Sequence, residues 1–323
     1  MIKTKITERL HIKYPIFAGT MMNITTPEFV AVCSNAGGLG ILASAIYKSP
    51  ETLKEAIQLT KKLTQKPFAV NVNLFPALQP TDQLSYIKIM LDEGVGIIET
   101  SGHAAPEEYV PLFKKAGVVW IHKCAGLRYA KKAVSLGADM IEVVGYENGG
   151  ATGKLDIGTF VMTPTVVDEI NVPVIAGGGV SDGRGLAALL ALGAQGAIVG
   201  TRIMATKECP IHENIKQALV SATETDTVLI MRSLGGTHRV WNNKAAQRVL
   251  EIERGDPDPA EIYQAAAGAK AKLMYEKGDL DVGVISCGQG VGLVHDIPSV
   301  ADLFDRIMRE AEETIEVCSA MQL

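Results

Sequence analysis

The chain has 323 residues, 47% of them hydrophobic, and a formal net charge of -5. That length suits one large barrel or two domains with an ample core, and the lack of any basic run argues against nucleic-acid binding. No apolar run is long enough to span a bilayer, and Met1-Ile2-Lys3-Thr4 leads into polar sequence without a secretory apolar region. Cys33, Cys124, Cys209, Cys287 and Cys318 are odd in number and widely spaced, with no Cys-x-x-Cys or Cys/His pattern, so free thiols in a cytoplasmic protein without a metal site are expected.

Strand and helix signals alternate from the start. Tyr14–Gly19 reads as a strand ending in glycine, and Thr26-Pro27-Glu28 supplies an N-cap, a proline and an acid for a helix to Asn35. Leu39–Ala43 is the second strand. Ser49-Pro50-Glu51 repeats the capping device before a helix to Leu63, and Pro67–Leu74 is a third, nearly continuous apolar strand of the kind buried in parallel sheets. The rhythm continues with a helix over Asp82–Glu93, a strand over Gly96–Thr100, a helix over Pro106–Ala116 and a strand over Val118–Lys123. A helix over Leu127–Leu136 then precedes a strand over Asp139–Val144, a Gly-rich loop and a helix over Pro164–Ile170.

Val172–Arg202 completes the series. Val174-Ile175-Ala176 runs into Gly177-Gly178-Gly179, Asp182 can cap a helix bearing Leu186, Leu189, Leu190 and Leu192, and Gly196–Val199 ends in Gly200-Thr201. Two adjacent Gly-rich strand ends can turn backbone N–H groups onto an anion, with the Thr201 hydroxyl beside them, where a (β/α)8 barrel holds a phosphate; the alternative is two ordinary turns. This makes eight βα steps in roughly the first 205 residues, the size of a TIM barrel. A doubly wound open sheet would need a GxGxxG after the first strand, which is absent.

After Arg202 the alternation stops. Ile211–Ala222, Asn242–Arg254, Pro259–Tyr275 and Ser299–Ser319 read as helices, so the expected α/β fold is a TIM barrel over residues 1–204 and 278–323 with a helical cap over 205–277 inserted after strand 8. Val284–Leu293 returns as a Gly-rich loop to the barrel mouth.

Active sites of this fold sit at the C-terminal strand ends. The residues expected there include Gly19-Thr20-Met21, Asn71, Asn73, Glu99-Thr100-Ser101, His122-Lys123, Glu147–Gly150, Gly177–Gly179 and Gly200-Thr201. Few carry charge, which suits a flat ligand surrounded by backbone and not a two-metal hydrolase. Lys123 could be a Schiff-base nucleophile, a phosphate partner or a donor to an electron-rich cofactor, or a snorkelling lysine. His122 and Lys123 alternate, so one of them points into the barrel, and His122 is read as structural. Cys124 is read as a small buried residue, His212 as a helix-start residue, and His103 and His295 as solvated loop residues. Asn71 is open between a ring-edge contact and a strand-end hydrogen bond, Met21 and Met22 between a flavin face and core, and Arg232 and Arg239 between holding an anionic cosubstrate and a structural ion-pair network.

VCSNAGGLG (32–40), IHKC (121–124), TKECPIH (206–212), IMRSLGGTHRVWNN (230–243) and GQGVGL (288–293), together with the strand 7 to strand 8 stretch, resemble the FMN-dependent nitronate monooxygenase superfamily over nearly the whole chain. The superfamily includes nitronate monooxygenases, FMN-containing enoyl-acyl-carrier-protein reductases and NAD(P)H:quinone reductases, and the IHKC, TKECPIH and IMRSL segments look most like the quinone-reductase branch. The resemblance implies FMN, with its phosphate at Gly178, Gly179, Gly200 and Thr201. It implies the ring near Gly19, Thr20, Met21, Asn71 and Lys123, bounded by Gly149, Gly150 and Gln289. Where the resemblance implies a histidine in the loop after strand 6, this chain has Ala151, which can neither move a proton nor bind an anionic nitronate. Lys123, Thr152, Lys154, Tyr146 and His238 are candidates to substitute.

The expected function is hydride or electron transfer from NAD(P)H through FMN to a quinone-like or conjugated small molecule. The alternatives are nitronate oxidation, enoyl-thioester reduction, and a non-catalytic flavin- or phosphate-binding protein. A homodimer is compatible with these readings.

Overall fold

The computed structural model describes residues 2–75, 82–102, 104–255, 258–266 and 268–321. His103 lies outside the described residues, as does Ala267 within the helix expected over Pro259–Tyr275. The strands are β1 Ile16–Ala18, β2 Leu39–Ala43, β3 Phe68–Asn73, β4 Ile97–Ser101, β5 Val119–Cys124, β6 Met140–Val144, β7 Gly150–Ala151, β8 Val174–Gly177, β9 Gly196–Val199, β10 Thr227–Ile230 and β11 His238–Trp241. Among them β1–β6, β8 and β9 form one closed parallel barrel, sealed where Phe17 of β1 pairs with Ile198 of β9. The fold is the expected TIM barrel.

Period-two alternation sorts the apolar residues into two cores. Phe17, Leu39, Ile41, Ala69, Ile97, Ile121, Met140, Val144, Ile175 and Ile198 pack together inside the barrel. Ile16, Leu42, Val70, Val72, Ile98, Trp120, Ile141, Val143, Val174 and Val199 point outward into the helix layer. A short helix, Lys5–Leu10, was not expected. Thr4 and Thr7 form its capping box, and Ile6 and Leu10, four residues apart on one face, join the inner core and plug the N-terminal end of the barrel.

The outer helices mostly follow the capping signals. Ser49 accepts from the Thr52 amide to start Pro50–Leu63, and Asp182 accepts from the Gly185 amide to start Gly183–Ala191. Two boundaries move. The helix expected over Pro164–Ile170 runs from Thr159 to Val167 with Pro164 inside it, and the one expected from Pro106 begins at Val110. In the first case Thr163 Oγ1 bonds the Thr159 carbonyl, and the Pro ring sits one turn beyond the Phe160 carbonyl it cannot pair with.

The all-helical expectation for 205–277 is corrected. Helices Glu213–Ser221, Lys244–Glu253, Pro259–Ala265 and Gly268–Lys277 are present, but β10 and β11 form an antiparallel hairpin between them. β7, from the loop after β6, adds to its edge through His238↔Ala151 and Arg239↔Gly150. The pairing buries Ile230 and Val240 with Ala246, Val249, Ile262 and Val284 in a separate apolar cluster. Thr227–Ile230 and His238–Trp241 are short, branched or aromatic runs flanking a Gly235-Gly236 turn, which is hairpin chemistry. No helix among the described residues is long and apolar enough to cross a membrane.

The terminal helix Val300–Ala320 packs on the helix Gly183–Ala191. At Gly183 an added Cβ would lie 2.4 Å from both the Ala311 nitrogen and the Ile307 carbonyl oxygen. Gly183→Ala must push the two helices apart, and a loss of about 1–3 kcal/mol is expected in chemical denaturation. Retention of wild-type stability would contradict this packing.

Candidate active site

The C-terminal ends of the strands surround a cavity of about 370 Å³. Gly19, Thr20, Met21, Asn71 and Lys123 line it from the barrel side. Gly149, Gly150, Ala151, Thr152, Gly200, Thr201 and His238 line it as well, so most of the expected site residues share one space. Gly178, Gly179 and Gln289 line an adjoining groove with Glu147 and Thr159. Gln289 therefore sits beside the Gly178 turn, where its backbone amide donates to the Glu147 carbonyl at 2.9 Å.

The floor of the cavity is a buried polar cluster made by strand register. Asn71 pairs with Glu99 across β3 and β4, Ser101 with Lys123 across β4 and β5, and Lys123 with Glu142 across β5 and β6. All of these point inward, above the apolar interior. Glu99 Oε2 accepts from Asn71 Nδ2 at 2.6 Å and from Thr20 Oγ1 at 2.7 Å. Asn71 Nδ2 also donates to Ser101 Oγ at 3.0 Å, which leaves its Oδ1 as the free acceptor. Lys123 Nζ lies 2.8 Å from Glu142 Oε1; the lysine side chain is 21% exposed and the glutamate 0%.

These groups set one another's charge. Burial pushes the Glu142 carboxyl up to about 8; Lys123 pulls against this and Glu99 adds to it. Burial lowers the Lys123 ammonium, but attraction to Glu142 and Glu99 outweighs it and the net shift is upward. Glu99 Oε1 has no hydrogen-bond partner among the described residues. Sequence reasoning placed Glu99 at a strand end but missed Glu142. The signal was available: a carboxylate inside the apolar run Met140–Val144, in the same inward phase as Lys123.

The adjacent ends of β8 and β9 make a second feature. Among the described residues, the amides of Gly178, Gly179, Gly200 and Thr201 donate to no backbone carbonyl. Gly177↔Ile198 pairing brings the two turns side by side, and Gly178 and Gly179 adopt φ +105° and +78°, open to glycine. A Cβ on Gly200 would meet only Met21 Sδ, at 4.0 Å, so this turn opens onto the cavity. The Thr201 hydroxyl accepts from the Gly288 amide at 2.9 Å, which ties the closing loop to this corner.

Other candidates are placed elsewhere. His122 is buried on the outer face of β5, with Nδ1 2.9 Å from Thr100 Oγ1; burial lowers its pKa to about 4. Cys124 is buried, and burial raises its thiol to about 12. His212 caps the helix Glu213–Ser221, its Nδ1 accepting from the Asn214 amide, and His295 is exposed. Met21 lines the cavity, whereas Met22 is half exposed. Arg232 pairs with Asp156 at 2.9 Å. Arg239 donates to the Tyr146 carbonyl and to Thr227 Oγ1, each at 3.0 Å, and stacks on the Tyr146 ring, so both arginines belong to structural networks. Thr152 Oγ1 donates to Thr237 Oγ1 at 2.7 Å.

A TIM barrel with a polar-floored cavity at its strand ends is the architecture of an enzyme, and comparison with known proteins identifies the class. The nitronate monooxygenase family profile matches residues 3–310. A Rhodococcus jostii (strain RHA1) protein, (3aS,4S,5R,7aS)-5-hydroxy-7a-methyl-1-oxo-octahydro-1H-indene-4-carboxyl-CoA dehydrogenase, is 32% identical, with 99% of each chain covered. A nitronate monooxygenase of Paraburkholderia phytofirmans is 29% identical over 97% of this chain and 96% of its own. Among solved structures, FabK from Thermotoga maritima superposes with a TM-score of 0.92 at 33% identity, with 99% of each chain covered. The chain is an oxidoreductase and belongs to the nitronate monooxygenase family.

The Glu142 carboxyl has a consequence for stability. Between the ordinary 4.5 and about 8, the folded chain holds a proton on Glu142 that the unfolded chain has released. Rising pH across that window therefore favours unfolding, with an upper slope of about 1.4 kcal/mol per pH unit. Urea unfolding should show wild type losing stability relative to Glu142→Gln between about pH 5 and about pH 8. A difference independent of pH would contradict a protonated Glu142.

Proposed function

We propose that the chain is an FMN-dependent oxidoreductase that passes reducing equivalents from NAD(P)H to a quinone-like or otherwise conjugated small molecule. The observation that carries this reading is the set of free amides at Gly178, Gly179, Gly200 and Thr201, set next to a cavity floored by Lys123. Such amides suit a phosphate monoester. The donor set on the floor suits the polar edge of a planar heterocycle.

Bound there, a flavin would supply two-electron chemistry through its ring. The chain's own residues do the rest. Asn71, with Nδ2 occupied by Glu99 and Ser101, presents Oδ1 as an acceptor for a ring N–H. Lys123, whose Nζ lies 2.8 Å from Glu142 Oε1, places an ammonium where negative charge would accumulate on reduction. Gly19, Gly149 and Gly150 let backbone and ligand come close. Ala151 offers no base to the cavity, which favours accepting hydride over deprotonating a nitroalkane.

A second reading is supported by the Rhodococcus jostii relative, whose name specifies a carboxyl-CoA substrate. In that reading the conjugated acceptor is an acyl thioester, and the same cavity serves it.

The purified protein is expected to take up FMN and turn yellow, and NADH or NADPH should bleach it anaerobically. A panel of quinones, acyl thioesters and alkyl nitronates then ranks the acceptors. A protein that takes up no FMN contradicts the proposal, and bound FMN that neither nicotinamide reduces supports a binding protein instead. At Gly178 an added Cβ would lie 2.6 Å from Thr159 Oγ1 and strain a positive φ, so Gly178→Ala should weaken FMN binding about tenfold or more. Unchanged affinity would remove the turn from the phosphate site.

A further inference from the structure

We propose that His238, across the β7–β11 ladder from Ala151 and fixed by Ser286, is the hydrogen-bond donor to the acceptor oxygen on which negative charge develops. This rests on the oxidoreductase reading and adds to it the group that contacts the substrate.

The placement comes from the sheet that joins the cap region to the barrel. His238 of β11 lies directly across from Ala151 of β7, so the two side chains share one face of the sheet. That face lines the cavity. β7 carries only small side chains. A Cβ added at Gly150 would lie 4.0 Å from His238 Cε1 and 3.4 Å from Ser286 Oγ, so the missing side chain there leaves the imidazole its room.

The ring is held from behind. His238 Nε2 lies 3.0 Å from Ser286 Oγ. Ser286 is itself fixed by a bridge to Val240, two residues along β11 from the histidine. Among the described residues Nδ1 has no hydrogen-bond partner. A neutral imidazole has one donor and one acceptor, so when Ser286 donates to Nε2 the proton sits on Nδ1 as a free donor. Burial lowers the pKa of His238 to about 4, which keeps the ring neutral and able to polarise a carbonyl without carrying charge into the cavity.

The other ionisable groups on the wall are less suited. Lys123 is engaged with Glu142 on the floor, and the Cys124 thiol points its hydrogen to the Gly126 carbonyl. Tyr275 lines the cavity from the helix Gly268–Lys277, but its hydroxyl makes no hydrogen bond among the described residues. The donor is therefore on the cap side and Lys123 on the barrel side. A flat acceptor lying between them would have its oxygen at His238. Quinones, conjugated ketones and acyl thioesters all present such an oxygen, whereas a hydrocarbon double bond alone does not.

The test uses the FMN-loaded protein and 4-hydroxybenzaldehyde, a phenol whose anion stands in for the charged oxygen and absorbs differently from its neutral form. Wild type should bind it as the phenolate, with the phenol's apparent pKa lowered. His238→Ala should weaken binding about tenfold or more and shrink the pKa shift, at unchanged FMN content and melting temperature. His238→Gln, which keeps an N–H donor, should recover part of both, and Ser286→Ala should fall between wild type and His238→Ala. Unchanged affinity and pKa shift in both histidine variants would overturn the proposal, as would a loss carried by Tyr275→Phe in place of His238. If FMN binds and is reduced while the phenol is indifferent to His238, this inference falls and the oxidoreductase reading stands. If wild type takes up no FMN, both fall.

Discussion

Closure of the barrel by β1 against β9 is the constraint on which the rest of the structure depends. Phe17↔Ile198 is the last pairing needed to remove every edge of the inner sheet. It brings Gly19 beside Gly200, with the Gly19 amide bonded to the Val199 carbonyl at 2.9 Å. Once the sheet closes, each strand has one inward phase, and polar residues in that phase near the C-terminal ends converge. Asn71, Glu99, Lys123 and Glu142 meet because their strands are neighbours in register, although the sequence spreads them over 71–142. The apolar residues below, plugged by Ile6 and Leu10, deny them water from the other side.

Burial is what gives that cluster its chemistry. Two carboxyl groups and one ammonium share a space where charge is costly, and the arrangement that relieves it leaves Glu142 protonated into the neutral range and Lys123 charged. A charged lysine with one-fifth of its side chain open to the cavity is a fixed source of positive potential. The opposite wall is neutral. There the β7–β11 sheet presents Ala151 and His238, and the Gly288 loop is pinned to Thr201. A planar ligand between these walls would be ordered by charge on one side and by hydrogen bonding on the other.

Much of this was legible in the sequence. Continuous apolar strands, Ser-Pro-Glu and Thr-Pro-Glu caps and the paired Gly-rich ends mark the barrel and its mouth because they are local signals. Simple alternation put Lys123 and His122 on opposite faces of β5, and the structure turns Lys123 inward and His122 outward. What escaped depends on pairing between distant segments. The β10–β11 hairpin is built from four-residue strands whose apolar residues are too few to announce themselves beside strong helical patterns, and β7 exists only because β11 is there to pair with it. Thus the sequence offered His238 with no spacing argument, and the register supplied one. Glu142 was passed over since a single acid in an apolar run has no meaning until its neighbour across the ladder is known.

In the proposed function the free amides at the ends of β8 and β9 would hold a phosphate while the barrel mouth would hold a ring. Comparing the affinity of the apoprotein for FMN and for riboflavin tests it directly, because the two ligands share the ring and differ by the phosphate. FMN is expected to bind about a hundredfold or more tightly than riboflavin. Equal affinity would contradict it.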